Sequence, residues 1–257
     1  MNLYQHFRKD EYPFIDQVLQ WKNEVEERFS VKLTDFLDPR EQDIATSIIG
    51  KDADSSLSFW GGSSHSERRR ALIHHAYLEP KPSDFELSVF EIQYPTKFSS
   101  LEHRDVLGAL MNIGVKRSKF GDIVHSQDRL QVTVANEIKD FIAMNVTKIG
   151  RTSVTLQLVE EGAYLHPEER YVEKAGTVSS LRLDVMIAEV YGLSRSKAAP
   201  FITSSKVKVN WRKVEDPSFP LQQGDYISLR GFGRSKLLHV GDKTKKDKWR
   251  ITYGILQ

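Results

Sequence analysis

Phe14, Val18, Trp21, Val25 and Phe29 recur at the three- and four-residue spacing of one helix face, predicting an amphipathic helix from Asp10 to about Phe29. Asp10 is its expected cap, and Pro13 falls in the first turn. A second helix is predicted from Asp38 to near Gly50, because Asp38 followed by Pro39 and Glu41 makes a capping box with proline at the first helical position. From Phe85 the pattern changes to strand FELSVFEIQ, helix SLEHRDVLGALMNIG, strands FGDIVHS and RLQVTV, helix ANEIKDFIAMN and strand RTSVTLQLV. The order is β-α-β-β-α-β. Beyond a polar stretch, Leu183, Met186, Ile187 and Val190 predict a further helix stopped by Gly192, and Ser194 caps the next one, SRSKAAPFI. Val207 and Val209 then alternate with Lys206, Lys208 and Asn210, as in a strand with one buried and one basic face. A last strand lies in GDYISLRGFGR, where Gly231 and Gly233 permit bends that put Arg230 and Arg234 on a shared surface.

Charge sharpens this picture. The 257 residues carry a formal net charge of only +2, yet the part from Thr177 onward holds 15 Lys and Arg against 7 Asp and Glu. The preceding part holds 22 against 28, so a basic third follows an acidic body, the footprint of a nucleic-acid-binding module. There is no Cys, which excludes disulfides and thiolate zinc sites and fits a reducing, cytoplasmic setting. No apolar run reaches the about 20 residues of a membrane span, and the first residues lack a signal-peptide pattern. No membrane partner is expected.

The basic third has a recognisable order of motifs. Arg195 and Lys197 sit in the first turn of the helix capped by Ser194, at the positive end of its dipole, where an external phosphate would answer them. The succession RLD, SRSKA, KVKVN and GDYISLRGFGR resembles the S4 RNA-binding domain, of αL type. That resemblance implies RNA contacts at Arg182, Ser194, Arg195, Lys197, Lys206, Lys208, Asn210, Arg230, Arg234 and Lys236. The chain departs from the usual S4 pattern at Ser204-Ser205-Lys206 and at Trp211, where glycine is common, and it carries Pro200 inside a helix.

The middle pattern is the split βαβ, or ferredoxin-like, order that RNA-recognition motifs share with unrelated domains. RNA-recognition motifs stack bases on aromatic residues of their central strands, but RLQVTV has none. Phe90 and Tyr94, the aromatic candidates on the first strand, are better read as core or edge residues. Two basic stretches offer a second RNA surface. One is Gly61-Gly62 and a Ser-rich turn leading into Arg68, Arg69 and Arg70, read as a phosphate-cradling helix start. The other is GVKRSKFGDI, with Lys116, Arg117 and Lys119. His74 and His75 are adjacent, which makes a shared metal ion improbable on a helix, so neither metal nor cofactor is expected.

YQHFRKDE, LTDFLDPRE, the GG and ERRR stretch, LGALMNIGVKRSKFGDI and the S4 motifs together resemble the YlmH family of bacterial S4-domain proteins over nearly the full length. The resemblance implies an α+β chain of four parts. These are a mainly helical segment over 1–83, an RRM-like domain over 84–160, a linker over 161–178, and an S4 domain with a basic extension over 179–257. It implies a monomeric, non-catalytic factor that binds rRNA and tRNA on the large ribosomal subunit. By relation to the small heat-shock-induced S4 protein, the target is a subunit obstructed by peptidyl-tRNA in ribosome-associated quality control. The alternatives are an S4-bearing pseudouridine synthase or methyltransferase, or a scaffold whose body binds protein. Arg182-Leu183-Asp184 echoes a synthase motif, but it opens an S4 helix, and no glycine-rich turn after a parallel strand is present for a methyl donor.

Overall fold

The structure, a computed structural model, describes residues 3–50, 55–126, 129–166 and 171–256. It divides into two compact units, up to residue 168 and from residue 169.

The first unit opens with helix α1, Tyr12–Arg28, which buries Ile15, Val18 and Val25. Its N-cap position is Glu11, one residue after the expected Asp10, and Glu11 is held by a bidentate pair with Arg40 at 2.8 and 2.9 Å. Helix α2, Pro39–Ile49, follows strand β1, Lys32–Leu37, and has the expected reciprocal cap. Glu41 N–H donates to Asp38 Oδ1 at 2.9 Å, and Asp38 N–H donates to Glu41 Oε2 at 2.6 Å. Strands β2, Ser55–Trp60, and β3, Arg69–His75, complete an antiparallel sheet in the order β1-β3-β2.

This sheet stands beside the helices that the sequence places in 1–83. The Arg68-Arg69-Arg70 run leads into a strand, not a helix, so no helix N-terminus stands behind the glycines. The sheet went unread because β3 is buried nearly throughout and so lacks the alternation of a half-exposed strand. His74 and His75 lie in β3, where His74 Nε2 meets Ser58 Oγ at 3.0 Å and His75 Nε2 meets the Val25 carbonyl at 3.2 Å.

The β-α-β-β-α-β order then appears as expected: β4, Leu87–Gln93; α3, His103–Asn112; β5, Phe120–Ser126; β6, Arg129–Ala135; α4, Lys139–Asn145. A small hairpin of β7, Lys148–Ile149, and β8, Thr152–Ser153, precedes β9, Thr155–Leu158. The sheet order is β5-β6-β4-β9, antiparallel throughout, which is the ferredoxin-like arrangement. Phe90, Ile92, Phe120, Leu130, Val132 and Val134 pack against Val106, Leu110 and Ile142 of the two helices. Phe90 is core, and Tyr94 packs at its margin.

The second unit begins within the expected linker. Residues 161–166 are irregular and 167–170 lie outside the described residues, but Tyr171–Val178 forms strand β10, paired over its whole length with the last strand, β15, Trp249–Leu256. The polar composition of 171–178 belongs to an edge strand that leaves most of its side chains exposed, which reads as linker when the paired residues lie 71 to 85 positions along the chain. Helices α5, Leu183–Val190, and α6, Arg195–Thr203, pack on a sheet completed by β11, Val207–Val209; β12, Arg212–Lys213; β13, Tyr226–Leu229; and β14, Gly233–Lys243. Its order is β10-β15-β14-β13-β11-β12. Val207, Val209, Ile227, Leu229, Leu237 and Ile251 face the helices, so by the two-residue period Lys208, Tyr226, Ser228, Arg234 and Lys236 face the other way.

Candidate nucleic-acid interface

Ser194 caps α6 as the sequence predicts, its Oγ accepting from Lys197 N–H at 3.3 Å. Helix α5 ends with Gly192 at φ 64°, a left-handed turn that points the chain into α6. Pro200 does not break α6, which runs on to Thr203. At the two departures from glycine the backbone keeps the left-handed geometry that glycine would supply: Ser205 has φ 57° and Trp211 has φ 62°. Asn210 and Trp211 are the two central residues of the β11–β12 hairpin, both with positive φ, the requirement of a type I′ turn. The Asn210 side chain ties this turn to the start of β13: its Nδ2 donates to Asp225 at 2.8 Å and its Oδ1 accepts from Tyr226 N–H at 2.9 Å.

Arg182 and Arg195 are also answered from within. Asp184, 5% exposed, accepts from Arg182 Nε at 3.0 Å and from Arg195 at 2.6 and 3.2 Å. The anion that the α6 N-terminus called for is a carboxylate of α5, which ties the two helices together. Burial works against the charged form of Asp184, but the bonds from Arg182 and Arg195 outweigh it and hold the carboxyl below its ordinary value. A depressed carboxyl contributes stability above the unfolded value of about 4, and that contribution is lost as pH falls through the folded value. Asp184→Asn is therefore expected to lower the melting temperature by several degrees at pH 7, by an amount equivalent to roughly 1–3 kcal/mol, since both arginines remain half-exposed. The difference from wild type should shrink below about pH 4; a difference independent of pH would show that packing, not charge, holds Asp184. The same closure speaks against a catalytic role for this Asp, whose carboxylate is engaged by two guanidinium groups.

Lys197, Lys206 and Arg230 are exposed and Lys208 is half-buried, and none of the four pairs with a carboxylate among the described residues. Arg230 N–H donates to the Lys206 carbonyl at 3.0 Å, which brings these two cations to one end of the sheet, and Lys206 Nζ lies 5.6 Å from the Phe201 ring. Across the open face, Lys208 stands opposite Ser228, and Ser228 opposite Arg234. Two residues along β13, Tyr226 stands opposite Lys236. The ten expected residues therefore fall into a helix-side group, an edge group and an open-face group.

The second expected surface is largely structural. Arg68 donates to the carbonyls of Phe36 and Phe120, at 2.8 and 3.1 Å, and Arg69 donates to those of Ser66 and Ser64. Arg117 is bonded to the Phe120 carbonyl at 2.6 Å; burial, with repulsion from Arg68, pushes its pKa down to about 10. Lys119 bridges Asp35 and Glu137 at 2.5 and 2.8 Å. Lys116 is the member of this group left exposed without a recorded partner among the described residues. Arg68 and Lys119 bolt the β1-β3-β2 layer to the RRM-like layer. The backbone bolt is Asp122, which accepts from Glu67 and Arg68 N–H at 2.7 and 3.0 Å; its burial raises its pKa.

The sheet face on which an RNA-recognition motif stacks bases is closed in this unit. Val89, Gln131 and Thr133 occupy the outward positions of β4 and β6, and all are buried. Gln131 donates to the Ala163 carbonyl at 3.2 Å and accepts from Leu165 N–H at 2.8 Å, so residues 163–166 are strapped over the sheet. Ser63 Oγ meets His166 Nδ1 at 2.9 Å from the glycine turn, adding a second cover. An RNA contact by this layer has to use another face.

Three family models match the chain in succession: "YlmH, N-terminal" over residues 10–78, "Putative RNA-binding domain in YlmH" over 80–161, and "S4 domain" over 181–227. Over 252 residues, 98% of either chain, the sequence is 48% identical to the Bacillus subtilis (strain 168) protein named ribosome-associated protein quality control protein P2. This chain belongs to the YlmH family. A solved structure described as cell division protein ylmH from Streptococcus pneumoniae superposes with a TM-score of 0.53 at 33% identity, over 61% of this chain and 95% of that one. The YlmH matches cover both layers of the first unit. The S4 match ends at 227, so β10, β14 and β15 extend the sheet beyond it.

Sequence reasoning missed three aromatic residues on the open face of the second unit: Tyr171, Trp211 and Tyr226. Tyr226 was legible from the alternation of GDYISL, whereas Tyr171 was assigned to a linker and Trp211 was seen only as a lost glycine.

Proposed function

We propose that this YlmH-family protein is a non-catalytic RNA-binding factor that docks on the large ribosomal subunit and recognises subunits still obstructed by peptidyl-tRNA. RNA binding and ribosome-associated quality control follow from the S4 match and the name of the Bacillus subtilis relative. An RNA contact through the second unit is supported by one observation: the S4 stretch and its flank carry Lys197, Lys206, Lys208 and Arg230 with no carboxylate partner among the described residues, so an external polyanion can neutralise them. Arg182 and Arg195 shape this surface through Asp184 and contribute less directly.

Sedimentation of the tagged protein through sucrose gradients at two salt concentrations tests the reading. Wild type is expected with free large subunits carrying tRNA, and Lys197→Ala/Lys206→Ala/Arg230→Ala at the top of the gradient with an unchanged melting temperature. Wild type absent from every ribosomal fraction at low salt would overturn it.

A further inference from the structure

The open sheet face of the second unit carries a row of rings and cations that the S4 reading does not use. Arg234 lies with its guanidinium 5.2 Å from the Trp211 ring centre, and the Trp211 ring lies 5.1 Å from that of Tyr226. Lys236 Nζ sits 4.3 Å from the Tyr226 ring and 5.8 Å from that of Tyr171, and donates to Tyr226 Oη at 2.7 Å. The Tyr171 ring rests on Gly254, where an added Cβ would come within 2.7 Å of it, so only glycine seats this ring against the sheet. Three of these five residues, Tyr171, Arg234 and Lys236, come from β10 and β14, beyond the S4 match.

We infer that this face binds unpaired RNA nucleotides, with bases stacking on Trp211, Tyr226 and Tyr171 while Arg234, Lys236 and Lys208 hold the phosphates. The inference rests on the RNA-binding reading above and assigns it a second, base-contacting surface.

Two physical arguments carry it. The first is cost. Trp211 holds φ 62°, a conformation in which L side chains are strained and which the Asn-Gly pair of an ordinary type I′ turn would adopt freely. A bulky aromatic residue kept there at the tip of a hairpin holds a half-buried indole beside Tyr226 and Arg234 at the expense of backbone strain. The second is exchange. The Trp211 and Tyr226 rings pack on one another and have the long cations Arg234 and Lys236 as further neighbours, and all four side chains are partly exposed. A base can replace a cation on a ring face, because base stacking and cation–π contact draw on the same π surface. The displaced ammonium or guanidinium stays within reach of that nucleotide's phosphate. Duplex RNA cannot make this exchange, since its bases are stacked on one another; single strands, loops and bulges can.

Fluorescence anisotropy on the full chain tests this with three labelled probes: a 12-nucleotide oligo(A), the same backbone carrying abasic sites, and a 20-base-pair RNA duplex. Wild type is expected to bind oligo(A) roughly 5- to 150-fold more tightly than the abasic strand, the range that a single base–ring stack provides. Trp211→Gly should abolish much of that preference and leave duplex binding within about two-fold. Glycine relieves the left-handed strain but loses the indole's contacts with Tyr226 and Arg234, so the melting temperature of this variant is measured alongside, and a value within a few degrees of wild type assigns the loss of preference to the ring. Trp211→Phe and Tyr226→Phe, which retain rings, should keep the preference. Equal binding of oligo(A) and abasic strands by wild type, with duplex binding intact, overturns the base-stacking inference and leaves the RNA-binding reading standing. Failure to bind any of the three probes overturns both.

Discussion

Arg70→Met is expected to destabilise the first unit by about 3–5 kcal/mol, the largest single-residue loss anticipated outside the apolar core. Arg70 is 4% exposed and lies where β1 bulges, between the pairings of Leu33 and Phe36 with β3. A bulge interrupts the ladder and strands backbone groups that burial will not leave unpaired. Arg70 Nε bonds the Thr34 carbonyl at 2.7 Å, and its Nη1 bonds the Glu86 carbonyl at 3.0 Å and Glu137 at 3.3 Å. Thr34 Oγ1 accepts Ala71 N–H at 2.9 Å on the other side of the same bulge. Methionine fills the space but donates nothing, so two carbonyls lose a donor and Glu137 loses one of two cations. For a unit of this size the expected fall in melting temperature is about 10–15 °C, measured by circular dichroism or calorimetry. Arg70→Lys should recover part of it, because an ammonium keeps the charge but cannot fork between the two carbonyls. A loss below about 1 kcal/mol for Arg70→Met would show that water replaces the guanidinium and that the two layers are not joined through it.

The second large effect is electrostatic. If Lys197, Lys206, Lys208, Arg230, Arg234 and Lys236 all meet phosphates of an unpaired strand, the log–log slope of affinity against salt is about −4, from roughly −0.7 per phosphate neutralised. Affinity for a fixed oligoribonucleotide should then fall by about two to three orders of magnitude between 50 and 200 mM salt. Each Lys→Ala or Arg→Ala change within this set should flatten the slope by somewhat under one unit. Arg68→Ala and Lys119→Ala should leave the slope unchanged and lower the melting temperature instead, because their partners are internal carbonyls and carboxylates. A flat profile for wild type, or a slope that responds to Arg68 and Lys119, would move the RNA surface to the first unit.

These two predictions separate cations that hold the fold from cations that face outward, a distinction the sequence does not contain. What the sequence determined by itself was local. The apolar spacing in α1, the Asp38-Pro39-Glu41 cap of α2, the β-α-β-β-α-β order, and Ser194 at the start of α6 all depend on residues within a few positions of one another, and apart from Phe29, which lies exposed just past the end of α1, each stands where the pattern placed it. The S4 motifs were legible for the same reason. The destinations of long charged side chains were decided by tertiary structure. Arg68 reaches Phe36 and Phe120, Arg70 reaches Thr34 and Glu86, Lys119 reaches Asp35 and Glu137, and Arg195 reaches Asp184. A guanidinium takes whichever acceptor lies near it in a low-dielectric surrounding, and those acceptors are supplied by bulges, strand ends and helix turns from distant parts of the chain. Strand β10 shows the same limit on the backbone: an exposed edge strand has little apolar pattern of its own, and only its ladder with β15, closed across 71 to 85 positions, makes it part of the sheet.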